Sequence, residues 1–311
     1  MEKVMKIASF ILACLTCVAL QAELFFTPQM IAKHLEAYTD KEIQLLKKDL
    51  AVVRSICLDG TRNTDTRFYL ATAGGPGARK TTILERFIAA HPEYQDGVYL
   101  DPDPRTLRFM VHTYYAQSLS SLVISQAKDY NEVIKNAYDK WRAGSNYIVL
   151  TLLEEAVAAG RSIIYGTTST GAHIPNFFAK LKENDYQIIL LLCSCSDDLR
   201  HKAIEYRNRV VRFYQSSPED AVAKGKFFPL RMGAYLTHAD WIYFYWSDDL
   251  FSPERLAAVW RNGKLEVHDS EAMQRFADKY EADRVALAAE GQMIPSFNSF
   301  FSNGISGSVK K

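Results

Sequence analysis

The amino-acid sequence predicts an α/β protein: a parallel sheet flanked by helices, preceded by N-terminal helices and followed by a small hairpin-helix extension. Three observations lead there. Near-continuous apolar runs such as Phe68–Ala73 and Gln187–Cys193 alternate with longer stretches of helical periodicity, the pattern of strands buried on both faces. A glycine-rich turn joins the first of these runs to a helix. A chain of 311 residues that is 48% apolar can fill the core such a sheet needs.

The elements follow in order. Thr27-Pro28 reads as a helix cap with proline at the first helical position, and Ile31, Leu35, Ile43, Leu46, Leu50 and Val53 supply the apolar face of one or two helices. Polar residues from Asp59 to Thr66 separate them from the strand Phe68–Ala73. Gly97–Leu100 predicts a short second strand, Asp129–Gly160 a long helix and Arg161–Gly166 a third strand. Gly171–Asn184 is expected as a helix, Gln187–Cys193 as a strand, Asp197–Phe213 as a long basic helix and Ala239–Trp246 as the final strand. Asn262-Gly263 between two apolar runs predicts a hairpin, and Ser270–Ala289 a closing helix. The expected organisation is a leader at 1–22, a helical segment at 23–66, the core at 67–250, the hairpin and helix at 251–295 and a disordered tail at 296–311, rich in Ser, Asn and Gly.

The turn after the first strand carries the chemistry. Gly74, Gly75, Pro76, Gly77, Ala78, Arg79, Lys80, Thr81 and Thr82 match the phosphate-loop pattern G-x-x-x-x-G-K-[ST] except that Arg79 replaces the second glycine. Such a loop turns N–H groups toward phosphate oxygens, lends a lysine to the β- and γ-phosphates and offers a hydroxyl, here Thr81, to Mg²⁺. Thr81 to Ile88 continues with helical spacing, so the loop opens a helix whose N-terminus favours an anion. Strand, loop and helix make the sheet one of the P-loop NTPase type. Glycine is used at the position of Arg79 because backbone must adopt conformations that a side chain strains.

Charge and cysteines narrow the classes. Taking Lys3, Lys6 and Glu2 from the 37 basic and 36 acidic residues leaves 35 of each, so no global field draws nucleic acid. Lys3 and Lys6, the apolar run Ile7–Leu20 and Gln21-Ala22 follow the three regions of a secretory signal peptide cleaved after Ala22; an uncleaved anchor is the alternative. No other segment approaches the roughly 20 apolar residues of a membrane span. Of five cysteines, Cys14 and Cys17 belong to the leader, and Cys57, Cys193 and Cys195 are expected as buried free thiols. The protein is accordingly expected in the periplasm or outside the cell, or in the cytoplasm if the leader does not function.

Asp101-Pro102-Asp103-Pro104 places two carboxylates beyond the second strand, at the edge where open α/β sheets bind ligands. Taken alone, the same four residues also make an ordinary turn. The order of motifs over roughly residues 67 to 246 resembles the zeta-toxin family of P-loop small-molecule kinases. The phosphate loop, Asp101-Pro102-Asp103, Ser145-Asn146 before a helix, Ile163-Ile164-Tyr165-Gly166-Thr167, the arginine-bearing stretch Glu205–Arg212 and the segment to Arg231, and Ala239–Tyr243 carry the likeness.

That resemblance implies transfer of phosphate from ATP, or GTP, with Mg²⁺, to a hydroxyl of a small molecule of the UDP-N-acetylglucosamine class. It implies that Lys80 binds phosphates, Thr81 holds the metal, Asp103 activates the hydroxyl, and Arg207, Arg209 or Arg212 neutralises the transferring charge. Asp101, Ser145, Asn146, Tyr165 and Thr167 fall where the acceptor binds, and Lys224 and Lys226 where a lid lies. An antitoxin or a host protein is the implied partner. Two positions depart from the family: Arg79, and Tyr165, where the family carries a glutamate. A catalytically silent nucleotide-fold binding protein, or secreted effector, is the alternative that these departures leave open.

Overall fold

The computed structural model describes residues 25–59, 61, 66–124, 130–211 and 217–301. The leader at 1–22 and Arg212 lie outside them. One sheet of seven strands organises the fold: β1 (Phe68–Ala73), β2 (Val98–Leu100), β3 (Ile163–Tyr165), β4 (Gln187–Cys195), β5 (Trp241–Ser247), β6 (Arg255–Arg261) and β7 (Lys264–Val267), in the order β2-β3-β1-β4-β5-β6-β7. The first five strands are parallel, and β6 and β7 join antiparallel.

Alternation along the central strands divides the core. Tyr69, Ala71, Leu190 and Leu192 face one side, packed with the helices Asp40–Cys57 (α2) and Tyr130–Ala158 (α6). Phe68, Leu70, Ile189 and Leu191 face the other, against Ile83, Leu84 and Phe87 of the helix Lys80–Ala90 (α3). All six residues of β1 are buried, which is why its sequence shows no polar-apolar alternation. The remaining helices are α1 (Pro28–Ala32), α4 (Pro104–Phe109), α5 (Tyr114–Ile124), α7 (Ile174–Glu183), α8 (Asp197–Tyr206), α9 (Pro218–Gly225), α10 (Met232–His238) and α11 (Ser270–Ala289).

The N-terminal helices start where the sequence places a cap. Thr39 and Glu42 form a reciprocal capping box at α2, and Thr27 accepts from Met30 N at α1. Leu46, Leu50 and Val53 of α2 enter the main core, while buried Asp49 accepts from His112 N (2.8 Å) and Thr113 Oγ1 (2.5 Å). Segment 25–57 is therefore packed as part of the core. Cys57, Cys193 and Cys195 are buried free thiols, as expected.

Several expectations need correction. The strand over Ala239–Trp246 is not the last, because the expected hairpin continues the main sheet through β5–β6 pairing. The helix from Asp197 ends at Tyr206 and passes into a π-helical turn, Arg207–Val211. Ser145-Asn146 lies within α6 and does not precede a helix. Phe297 and Phe301 are buried in the main core, so residues 296–301 are structured; 302–311 lie outside the described residues. Among the described residues no helix is long and apolar enough to cross a membrane.

Candidate functional site

A cavity of about 540 Å³ opens at the carboxyl ends of β1, β2 and β3, where the strand order reverses. Its floor is the phosphate loop. Gly74 has φ 127°, and a Cβ there would stand 2.2 Å from the Cys193 carbonyl oxygen; Gly77 has φ 79° with Arg200 O only 2.8 Å from the same imagined atom. These two glycines let the loop lie directly on β4 and α8. Lys80 folds back over the loop and donates to Gly75 O at 2.7 Å. Burial, reinforced by Arg200 and Arg207, lowers its pKa from 10.5 to about 8, against the opposing pull of Cys193 and Asp103. Thr81 and Thr82 line the cavity at the start of α3, with Thr81 exposed to it.

Arg79 shows how the loop survives the loss of its second glycine. Its backbone sits at φ 57°, ψ 21°, the left-handed conformation a glycine would adopt, which costs a side-chain-bearing residue about 1–2 kcal/mol. The guanidinium points away from the loop. Its Nη1 donates to Asp249 O (3.0 Å) and Ser252 O (2.8 Å) in the loop after β5. Hydrogen bonds from a charged donor contribute about 1.5–3 kcal/mol each, enough to offset the strain. The loop geometry is preserved by side-chain anchoring.

Opposite the phosphate loop stand the two aspartates. Asp101 is buried; its Oδ1 accepts from Asp103 N at 2.8 Å, and its Oδ2 would lie 2.6 Å from a Cβ on Gly166. Burial, then the neighbouring Asp103, raises its pKa from 3.8 to about 7. Asp103 is partly exposed to the cavity and pairs with Arg142 Nε at 2.5 Å. Tyr138 Oη donates to Asp103 Oδ1 at 3.4 Å and accepts from Arg142 Nε at 3.1 Å. Both contacts use Oδ1; among the described residues Oδ2 has no hydrogen-bond partner. Arg142 Nη1 also donates to Asn146 Oδ1.

The expected site residues divide clearly. Pro76, Gly77, Arg79, Lys80, Thr81, Thr82, Asp101, Asp103, Thr167, Arg207 and Lys224 line the cavity. Gly74, Gly75 and Ala78 form the buried base of the loop. Ser145 is fully buried, its hydroxyl donated to Pro102 O, so it supports the aspartate turn from behind. Asn146 touches the cavity only through Arg142. Tyr165, at the end of β3, packs edge-on to Tyr69 (6.4 Å) and does not line the cavity, and burial raises its pKa to about 12. Arg209 faces away, pairing with Glu205 at 3.6 Å beside a separate hollow of about 320 Å³. Lys226 pairs with Glu290, and Arg231 is spent on Thr170 O (3.2 Å) and Gly171 O (2.8 Å).

Sequence reasoning missed Arg108, Tyr138, Arg142, Tyr206 and Leu250, all of which line the cavity. A signal existed for two of them. Tyr138, Arg142 and Asn146 recur every four residues on α6 and make a polar stripe on a helix that otherwise feeds the core. Among the described residues the cations lining the cavity, Arg79, Lys80, Arg108, Arg142, Arg207 and Lys224, outnumber the two carboxylates, so the cavity suits an anionic ligand. Among the described residues no cluster of three or more His, Cys, Asp or Glu could hold a metal by itself.

No family model and no curated protein matches the chain. Solved structures do. The AvrRxo1-ORF1:-ORF2 complex with ATP is 13% identical, with a TM-score of 0.52, over 89% of this chain and 94% of that one. The same complex with sulphate ions is 11% identical, with a TM-score of 0.51, over 91% of this chain and 95% of that one. A chain from the PezAT chromosomal toxin-antitoxin system of Streptococcus pneumoniae is 16% identical over 81% of this chain and 96% of that one, at a TM-score of 0.49. The expected α/β fold, a mostly parallel sheet flanked by helices with a phosphate loop after β1, is borne out, and it is the fold shared with the AvrRxo1-ORF1:-ORF2 structures.

Proposed function

We propose that the protein is a phosphotransferase that moves the γ-phosphoryl group of ATP or GTP to a hydroxyl of a small anionic acceptor, of the nucleotide-sugar class. One observation carries this reading: the phosphate loop with Lys80 and Thr81, and the Asp103 carboxylate held by Arg142, face each other across one cavity. The AvrRxo1-ORF1:-ORF2 complex with ATP shares this fold, and that supports a nucleotide as the ligand of this chain.

The residues present fit the expected groups. Gly74 and Gly77 let the loop pack directly on β4 and α8 and leave its other side to the cavity, and Thr81 offers an exposed hydroxyl at a helix N-terminus. Mg²⁺ held by Thr81, with Asp101 nearby, would neutralise charge on the β- and γ-phosphates. Asp103 takes the acceptor's hydroxyl proton on Oδ2 as the new O–P bond forms and the bond to the β–γ bridging oxygen breaks. Lys80 holds the departing diphosphate, and Arg207 at the π-helical turn balances the equatorial oxygens. Arg142 holds Asp103 in place through their ion pair, and with Arg108 supplies positive charge for an anionic acceptor.

The test is phosphate transfer from labelled ATP to a panel of nucleotide sugars. Asp103→Asn is expected to lower transfer by about 10²- to 10⁴-fold while ATP affinity changes little. Equal, nonzero activity of wild type and variant refutes the base assignment; a wild type that binds ATP and transfers to nothing leaves the silent binding protein. We propose further that residues 1–22 are removed on export, and that an antitoxin or host protein is the partner. Intact-mass measurement of the protein from an expressing bacterium checks the cleavage, and retention of Met1 refutes it.

A further inference from the structure

Resting on the phosphotransferase reading above, we propose that Tyr38, in the N-terminal segment, is a positioning residue for transfer: its hydroxyl, set into one turn of α6, fixes the turn from which Arg142 holds Asp103. That turn grips the aspartates at two points. Arg142 Nε pairs with Asp103 Oδ1 at 2.5 Å, and fully buried Ser145 donates its hydroxyl to Pro102 O. Whatever fixes this turn of helix therefore fixes Asp103 as well.

Tyr38 holds the same turn from its other side. Its Oη donates to Lys140 O (2.6 Å) and accepts from Gly144 N (2.9 Å), the acceptor and the donor of one i to i−4 pair of the helix. A side chain that enters this ladder bends a helix there, and so sets the direction in which the residues of the turn project. Arg142 lies midway between the two groups in sequence, and at about 100° per residue it leaves the helix opposite them. Arg142 accordingly lines the cavity, and Tyr38 does not. The ring of Tyr38 is itself held: it stacks on Trp141 (5.2 Å, 8°), whose Nε1 donates to Gln117 Oε1 at 2.5 Å. Glu42, in the first turn of α2, pairs with Lys140 at 2.6 Å. Gly144 makes the approach possible, because a Cβ there would stand 2.6 Å from Leu46 Cδ2 and 3.3 Å from Tyr38 Oη. A hydroxyl so constrained is far from the phosphates, yet it reaches Asp103 through one turn of α6.

Tyr38→Phe tests this, since it removes the hydroxyl, keeps a ring on Trp141 and leaves Gly144 N and Lys140 O to bond each other, so the chain still folds. Phosphate transfer from labelled ATP to the panel of nucleotide sugars is measured for the wild type, Tyr38→Phe, Arg142→Ala and the double variant, with the Kd for Mg²⁺-ATP from calorimetry. Tyr38→Phe is expected to lower kcat about 10- to 100-fold, the effect of a small misplacement at the reacting centre, and to leave the Kd for Mg²⁺-ATP unchanged. In the Arg142→Ala background the same substitution should cost no further activity, because a residue that acts through Arg142 then has nothing left to place; a loss of another kind would be the same in both backgrounds. Wild-type kcat in Tyr38→Phe, an equal loss in both backgrounds, or a matching loss of ATP affinity overturns the role of Tyr38 and leaves the proposed function standing. A wild type that transfers phosphate to none of the panel overturns the proposed function, and the role of Tyr38 with it.

Discussion

Lys80 is expected to make nucleotide affinity fall steeply above pH 8. Its ammonium is folded back over the phosphate loop and half-buried there, with Arg200 and Arg207 close enough to add to the cost of its charge, and its pKa is lowered to about 8. In the empty site about nine in ten lysines carry a proton at pH 7 and about one in ten at pH 9. A bound triphosphate restores the charge, so binding takes up a proton when the lysine starts neutral. Affinity for a non-hydrolysable ATP analogue should therefore drop about tenfold between pH 7 and pH 9. At pH 8 the binding heat should vary with the ionisation enthalpy of the buffer, reporting uptake of about half a proton. Lys80→Arg, whose charge does not titrate in this range, should bind with a flat pH profile even if more weakly. Titration calorimetry in two buffers across this range measures all three quantities. An affinity constant from pH 7 to 9 with no buffer dependence would falsify the placement of Lys80 against the phosphates.

Two further perturbations probe the walls of the site. Gly225→Ala would set a Cβ 1.9 Å from Arg200 Nη1, and Arg200 is only 1% exposed and packed against the phosphate loop; a loss of about 1–3 kcal/mol in urea denaturation is expected, and an unchanged midpoint would refute the contact. Asp101, with its pKa raised to about 7, keeps its proton in the folded state between about pH 4 and 7 while the unfolded chain has lost it, so stability falls as pH rises through that window. The slope is up to about 1.4 kcal/mol per pH unit. Asp101→Asn should flatten that slope, and an unaltered slope in thermal melts at pH 5, 6 and 7 would show that the carboxyl is not buried.

What the sequence made legible was local, and what it hid was carried by distant parts of the chain. Lys80, Thr81 and Asp103 could be read because β1 and β2 are parallel and end at one edge, so the loops that follow them must meet. Arg142 was marked only by the polar stripe it makes with Tyr138 and Asn146, and nothing in that stretch tells that α6 passes over the same edge. The partners of Arg79 lie about 170 residues downstream, and a pattern search can only count it as a defect. The hairpin was readable from Asn262-Gly263, but its pairing with β5 depends on a free sheet edge that no local signal reveals. Phe297 and Phe301 were masked by the Ser, Asn and Gly around them, which set the composition while the two rings set the energetics.

The second departure from the family pattern gains meaning beside Arg142. A glutamate at position 165 would be a third carboxylate near Asp101 and Asp103, and the added negative charge would raise the pKa of buried Asp101 further. Tyrosine there stays neutral, its pKa raised to about 12 by burial, and it does not line the cavity. Asp103 is then the carboxylate paired with Arg142, and Arg108 and Arg142 leave the acceptor end with more positive charge than a third acid would allow. Within the proposed function, the exchange favours an acceptor recognised through its own negative charge over one recognised through hydroxyl groups donating to a carboxylate. Within the proposed function, Tyr165→Glu should weaken binding of phosphorylated acceptors and leave the affinity for Mg²⁺-tripolyphosphate alone. Transfer rates measured against acceptor concentration separate the two effects, and an unchanged KM for every anionic acceptor would sink the argument.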